Sequence, residues 1–125
     1  MDNSDWHARS EKDAAKAVGA DTTPASGALP FAKGDAVDDY LRYEVKSTKA
    51  KTMRVELGWL RKITEEALSS GRDPALIIQF YKSSVEIEHN GRWVALPAWL
   101  HTEMAAAWLR ERQKENEIIG NDSGC

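Results

Sequence analysis

The chain has 125 residues, and its 17 basic and 20 acidic groups give a net charge of −3. With 42% hydrophobic and 30% charged residues it reads as one globular domain over residues 1–125 rather than a disordered chain. No window approaches ~18 uninterrupted apolar residues, which excludes a transmembrane helix. The only cysteine, Cys125, allows neither an internal disulfide nor a zinc cluster. The opening MDNSDWHARS lacks the basic-then-apolar pattern of a secretion signal, so an intracellular protein is expected.

Taken in chain order, SDWHARSEKDAAKAVG predicts a first helix, capped by Ser4 or Asp5 and stopped by Gly19. Trp6, Ala14, Ala17 and Val18 are its candidate apolar side. ADTTPASGALPFAKG is rich in Pro, Gly, Ser and Thr and reads as a linker or a short edge strand. DAV and YLRYEVKST predict two strands joined by an Asp38–Asp39 turn. Alternation puts Tyr40, Arg42, Glu44 and Lys46 on one face of the second strand, and Leu41, Tyr43, Val45 and Ser47 on the other.

VELGWLRKITEEALSSGRDP predicts a helix with an apolar stripe of Leu57, Leu60, Ile63, Thr64, Ala67 and Leu68. ALIIQFY is a candidate central strand, and SVEIEHNGRWVALP reads as a hairpin turning at Asn90–Gly91. PAWLHTEMAAAWLRERQKEN predicts a last helix, with a frayed tail over 117–125. Trp59, Trp99 and Trp108 are assigned to core or subunit packing, and Trp93 to covering the sheet. His7, His89 and His101 share no metal-ligand spacing. The sum is a small α/β domain, a mixed sheet flanked by helices.

The chemistry concentrates in KGDAVDDYLRYEVKSTKAK. Glu44 and Lys46, two apart on a strand, point to the same side, and the Asp38–Asp39 turn folds Asp35 back beside Glu44. Two carboxylates, with the Val45 carbonyl as a further oxygen, are the donor class of a hard cation such as Mg²⁺. Such a cation polarises a phosphodiester and acidifies a bound water. Lys46 would orient that water and offset charge growing on the phosphoryl oxygens. Alone, Glu-x-Lys reads as a solvated ion pair, so the neighbours matter. Glu11, between Arg9 and Lys12 on the first helix, is placed to lean over the same end of the sheet. Ser26–Gly27 offers a hydroxyl and exposed amides to phosphate. Residues 42–54 hold Arg42, Lys46, Lys49, Lys51 and Arg54 against Glu44 alone, and Lys33 adds a further cation nearby.

Glu11, ASG at 25–27, KGD at 33–35, EVKST at 44–48 and the later WLRKITEEALSSGRDPALIIQF together resemble the PD-(D/E)XK nuclease superfamily. The likeness is to its Holliday-junction resolvases of archaea and phage, and it covers about residues 8–110. It implies a restriction-endonuclease-like fold, with Asp35 and Glu44 binding Mg²⁺ or Mn²⁺ and Lys46 as the catalytic lysine. It further implies that Glu11 is the first-helix carboxylate, that Ser26 is the serine near the site, and that two copies form a homodimer acting on branched DNA. Gly34 stands where the family signature carries proline. Arg9, Ser26, Gly27, Lys33, Lys49, Lys51 and Arg54 are the candidate DNA contacts. The resemblance places such a protein in the cytoplasm or nucleoid, in a cellular or phage setting. The alternatives are a related nuclease acting on nicked, flap or duplex DNA, and a non-catalytic DNA-binding or assembly module.

Overall fold

The first helix, α1, spans Asn3–Val18 in the computed structural model, which describes residues 3–22 and 36–123. Its buried residues Trp6, Ser10 and Ala14 recur every four positions, with Ala15 beside them, and form the face turned to the sheet. Ala17, expected on that face, is exposed.

Three strands follow: β1 (Asp21–Thr22), β2 (Ala36–Val37) and β3 (Leu41–Thr48). They pair antiparallel in that order. The β2–β3 turn forms as the sequence predicts, and Asp38 organises it. Its Oδ1 accepts the Tyr40 and Leu41 N–H groups at 2.8 and 2.6 Å, and its Oδ2 accepts the Tyr43 hydroxyl at 3.2 Å.

The second helix, α2 (Leu57–Ser69), crosses from β3 to β4 (Asp73–Tyr81), which pairs parallel with β3. Gly71, at φ 73°, ends the helix: the Arg72 N–H reaches back to the Ala67 carbonyl at 2.9 Å, closing the helix in a left-handed cap that glycine adopts at little cost. β4, expected to be central, is an interior strand between β3 and the last strand of the sheet, with Ala75, Leu76, Ile77, Gln79 and Tyr81 buried, while β3 holds the middle of the sheet. The α2 stripe differs from expectation. Of its expected members Ile63 and Ala67 are buried, but Leu57, Leu60 and Leu68 are exposed, and Trp59, outside the stripe, is half-buried. The packed line is therefore Trp59–Ile63–Ala67, where alanine lets the helix approach the sheet closely.

The last strand, β5 (Ile87–Ala95), completes a five-stranded mixed sheet in the order β1-β2-β3-β4-β5. The hairpin expected at Asn90–Gly91 is not there. Both residues lie inside β5, and the β4–β5 turn falls at 82–86, where the Lys82 and Ser83 N–H groups reach the Glu86 carbonyl at 2.7 and 3.2 Å. Asn-Gly serves an irregularity in the ladder instead, between the Gln79–Arg92 and Tyr81–Ile87 pairs. Asn90 takes φ 52°, and a Cβ on Gly91 would lie 2.7 Å from the Phe80 carbonyl oxygen. Trp93, expected to cover the sheet, is 62% exposed.

The helices take opposite faces. Gln79, on the α1 face, donates to the Ser10 carbonyl and to Ser47 Oγ, both at 3.0 Å, and accepts from Arg92 Nε at 2.6 Å. This buried amide joins α1, β3, β4 and β5 in one satisfied network. By the pleat, Glu44 and Lys46 then lie on the other face, under α2.

The chain divides into two units, Met1–Ala95 and Leu96–Cys125. The second carries α3 (Ala98–Ser123), which continues past residue 117, where a frayed tail was expected. Trp99 and Trp108, expected to be packed, are 47% and 57% exposed on it, and Arg112 lies over the Trp108 ring. Among the described residues, no helix is long and apolar enough to cross a membrane.

Candidate active site

β3 brings Glu44 and Lys46 together on one face, as the two-residue spacing requires. Glu44 is 7% exposed, and Lys46 Nζ lies 3.6 Å from its Oε1. That is an ion pair, too long for a hydrogen bond. A carboxylate at this position is costly: removing it from water loses several kcal/mol unless partners compensate, and an apolar residue would suit a central strand better.

The pair opens into a cleft of about 40 Å³ lined by Glu44, Lys46, Trp59, Lys62, Ile63 and Glu66. That volume holds a few waters or a hydrated ion beside an approaching backbone, not a whole nucleotide. Trp59, Lys62, Ile63 and Glu66 follow the i, i+3, i+4, i+7 spacing of one α2 face. Lys46 Nζ stands 4.7 Å from the centre of the Trp59 ring, and Lys62 pairs with Glu66 at 3.9 Å. Ile63 belonged to the expected stripe; the sequence signal for Trp59, Lys62 and Glu66 was the helical spacing around it inside WLRKITEE, masked by the leucines assigned to the same stripe.

The other expected site residues are distributed as follows. Ser26, Gly27, Lys33 and Asp35 lie outside the described residues. Ala36 pairs with Tyr43, so β2 begins next to Glu44 in the ladder. Glu11 is half-buried on α1, the helix that packs on the opposite face of the sheet from the Glu44–Lys46 cleft. Among the described residues, no three His, Cys, Asp or Glu side chains are grouped to hold a metal ion.

Of the candidate DNA contacts, Lys49, Lys51 and Arg54 follow β3 in the chain. Lys49 donates to Ser84 Oγ at 2.7 Å and lies 4.9 Å from the Trp6 ring centre. Lys51 pairs with Glu88, and Arg54 stands 3.7 Å from Glu56. Lys51 and Arg54 nevertheless remain about four-fifths exposed, so both can exchange these surface partners for phosphate at little cost. Arg9 is exposed on α1. Val45 is half-buried between Glu44 and Lys46.

No protein-family model, curated protein or solved structure matches the chain.

Proposed function

We propose that the chain is a metal-dependent endodeoxyribonuclease of the PD-(D/E)XK kind that cuts branched DNA as a homodimer. The observation that carries this reading is the buried Glu44 carboxylate, paired with Lys46 at the floor of an open cleft. The α2–β4 unit behind β3, in a mixed sheet with helices on both faces, adds support.

Glu44 is a hard oxygen donor of the type Mg²⁺ takes, and the metal would be held by Glu44, Asp35 and the Val45 carbonyl; Glu11, on the helix of the opposite face, takes no part in this reading. When bound, Mg²⁺ or Mn²⁺ would polarise the phosphodiester and lower the pKa of a coordinated water. Lys46 orients the attacking water and offsets charge on the phosphoryl oxygens. Attack in line on phosphorus breaks the bond to the 3′ oxygen, leaving a 5′-phosphate and a 3′-hydroxyl. Lys49, Lys51 and Arg54 hold the flanking backbone, with Lys33, Ser26 and Gly27 as further contacts.

The test is cleavage of matched four-way, flap, nicked and linear labelled DNA with Mg²⁺, Mn²⁺ or chelator. Metal-dependent cutting that favours the four-way junction is expected. Equal cutting of all four discards the junction preference and keeps the chemistry. Binding without cleavage under any metal is the result for a non-catalytic module.

A further inference from the structure

We infer that Trp59 is the positioning residue that holds Lys46 for this reaction; the inference rests on the nuclease reading above. Lysine is a poor point of aim. Its four-carbon stem is flexible, and ordering it costs up to roughly 2 kcal/mol of rotamer entropy. In this cleft the ammonium lies between two fixed groups: the Glu44 carboxylate at 3.6 Å and the Trp59 indole at 4.7 Å from the ring centre. The two act differently. The carboxylate attracts the charge and is also the proposed metal ligand. The ring attracts the cation through its face without taking up an N–H hydrogen bond at an acceptor atom. The three ammonium donors thus stay available for water and phosphoryl oxygen, and the Lys46 side chain keeps 26% of its surface open.

Trp59 can do this because its own place is fixed. It sits in the first turn of α2, where its N–H and that of Leu60 both reach the Glu56 carbonyl, at 3.1 and 3.3 Å. One turn on, Ile63 packs against the sheet, and Ala67 follows on the same line. The chain thus sets the ring by a helix rather than a loop. Residues 49–58 carry the backbone from the end of β3 into the first turn of α2, on the same face as Lys46.

The experiment compares Trp59→Phe and Trp59→Leu in single-turnover and steady-state cleavage of the four-way junction, beside Lys46→Ala. Phenylalanine keeps a weaker aromatic face, and leucine keeps bulk without one. The expected order is wild type, then Phe at about threefold lower kcat, then Leu at about tenfold lower, with KM within about twofold. Ring current from the indole should also shift the Lys46 side-chain methylene protons upfield, a signature lost in Trp59→Leu and measurable without activity. Thermal unfolding of each variant separates loss of fold from loss of positioning. Wild-type kcat in Trp59→Leu, or unchanged Lys46 methylene shifts, overturns the inference. So does an equal loss in Phe and Leu accompanied by raised KM, which marks a packing or binding role. Undiminished cleavage by Lys46→Ala overturns the nuclease site itself, and the inference with it. Cleavage abolished by Lys46→Ala but untouched by Trp59→Leu removes only the role of Trp59.

Discussion

Glu44 separates a functional charge from a structural one. If its burial serves the fold, removing it should be strongly destabilising, by about 3–5 kcal/mol, as when a buried pair is broken. If it serves chemistry, an apolar replacement of similar size should leave stability within about 1 kcal/mol or raise it, because Lys46 reaches solvent when unpaired. We predict the second outcome for Glu44→Leu, read from urea unfolding. Two phenols make a separate prediction. Burial, reinforced by Asp38, pushes Tyr43 from 10.0 up to about 12, and burial with a 3.0 Å hydrogen bond to Asp13 pushes Tyr81 to about 12 as well. Both groups bind their proton more tightly when folded than unfolded. Their contribution is therefore whole below pH 10 and is lost as pH rises from about 10 to about 12. Stability followed across that interval should fall, and Tyr43→Phe and Tyr81→Phe should each flatten the fall, relative to their own stability at neutral pH.

At the scale of elements, the β2–β3 turn and the β4–β5 irregularity carry the sharpest expectations. Asp38 serves two backbone N–H groups and one phenol. Asp38→Ala should lower stability by about 1–3 kcal/mol through these lost partners. Gly91→Ala should cost at least about 1 kcal/mol, since its Cβ would meet backbone oxygens of Phe80 and Glu88 at 2.7 and 2.8 Å. Both are read from thermal unfolding, and a neutral Gly91→Ala would mean that β4 and β5 can separate there. These elements also mark what the sequence could reveal. The Asp38–Asp39 turn was legible because short-range hydrogen bonding decides it. The same-side placement of Glu44 and Lys46 was legible because strand periodicity alone decides it. Asn90–Gly91 misled because a left-handed residue and a glycine serve a bulge as well as a hairpin turn, and only the partner strand chooses. The α2 stripe misled for a similar reason. Leucines at helical spacing define a candidate face, but the face turned inward is set by how the short crossover lays the helix on the sheet, and small Ala67 fits closest. That one rotation concealed Lys62 and Glu66, and the place of Trp59 beside Lys46.

At the scale of the whole molecule, a net charge of −3 limits how DNA would be held under the proposed nuclease reading. Long-range attraction is weak, so binding must draw on the local cations at the end of β3. Lys49, Lys51 and Arg54 each have an intramolecular partner to exchange. Junction affinity should therefore fall with salt along a shallow slope of about −2 to −4 in log–log form, the signature of few phosphate contacts. A fluorescence titration between about 50 and 200 mM salt measures it, and a slope near −8 would require a larger basic surface than these residues make. The central claim is that Glu44 and Lys46 form a metal-dependent site for cutting DNA. Its most direct test is the single-turnover rate on a labelled four-way junction in Mg²⁺ for the wild-type protein and for Glu44→Gln. Under the nuclease reading, metal-dependent cleavage leaving 5′-phosphate ends is expected, reduced by roughly a hundredfold or more in a Glu44→Gln protein that remains folded. Equal rates for the two proteins would contradict it.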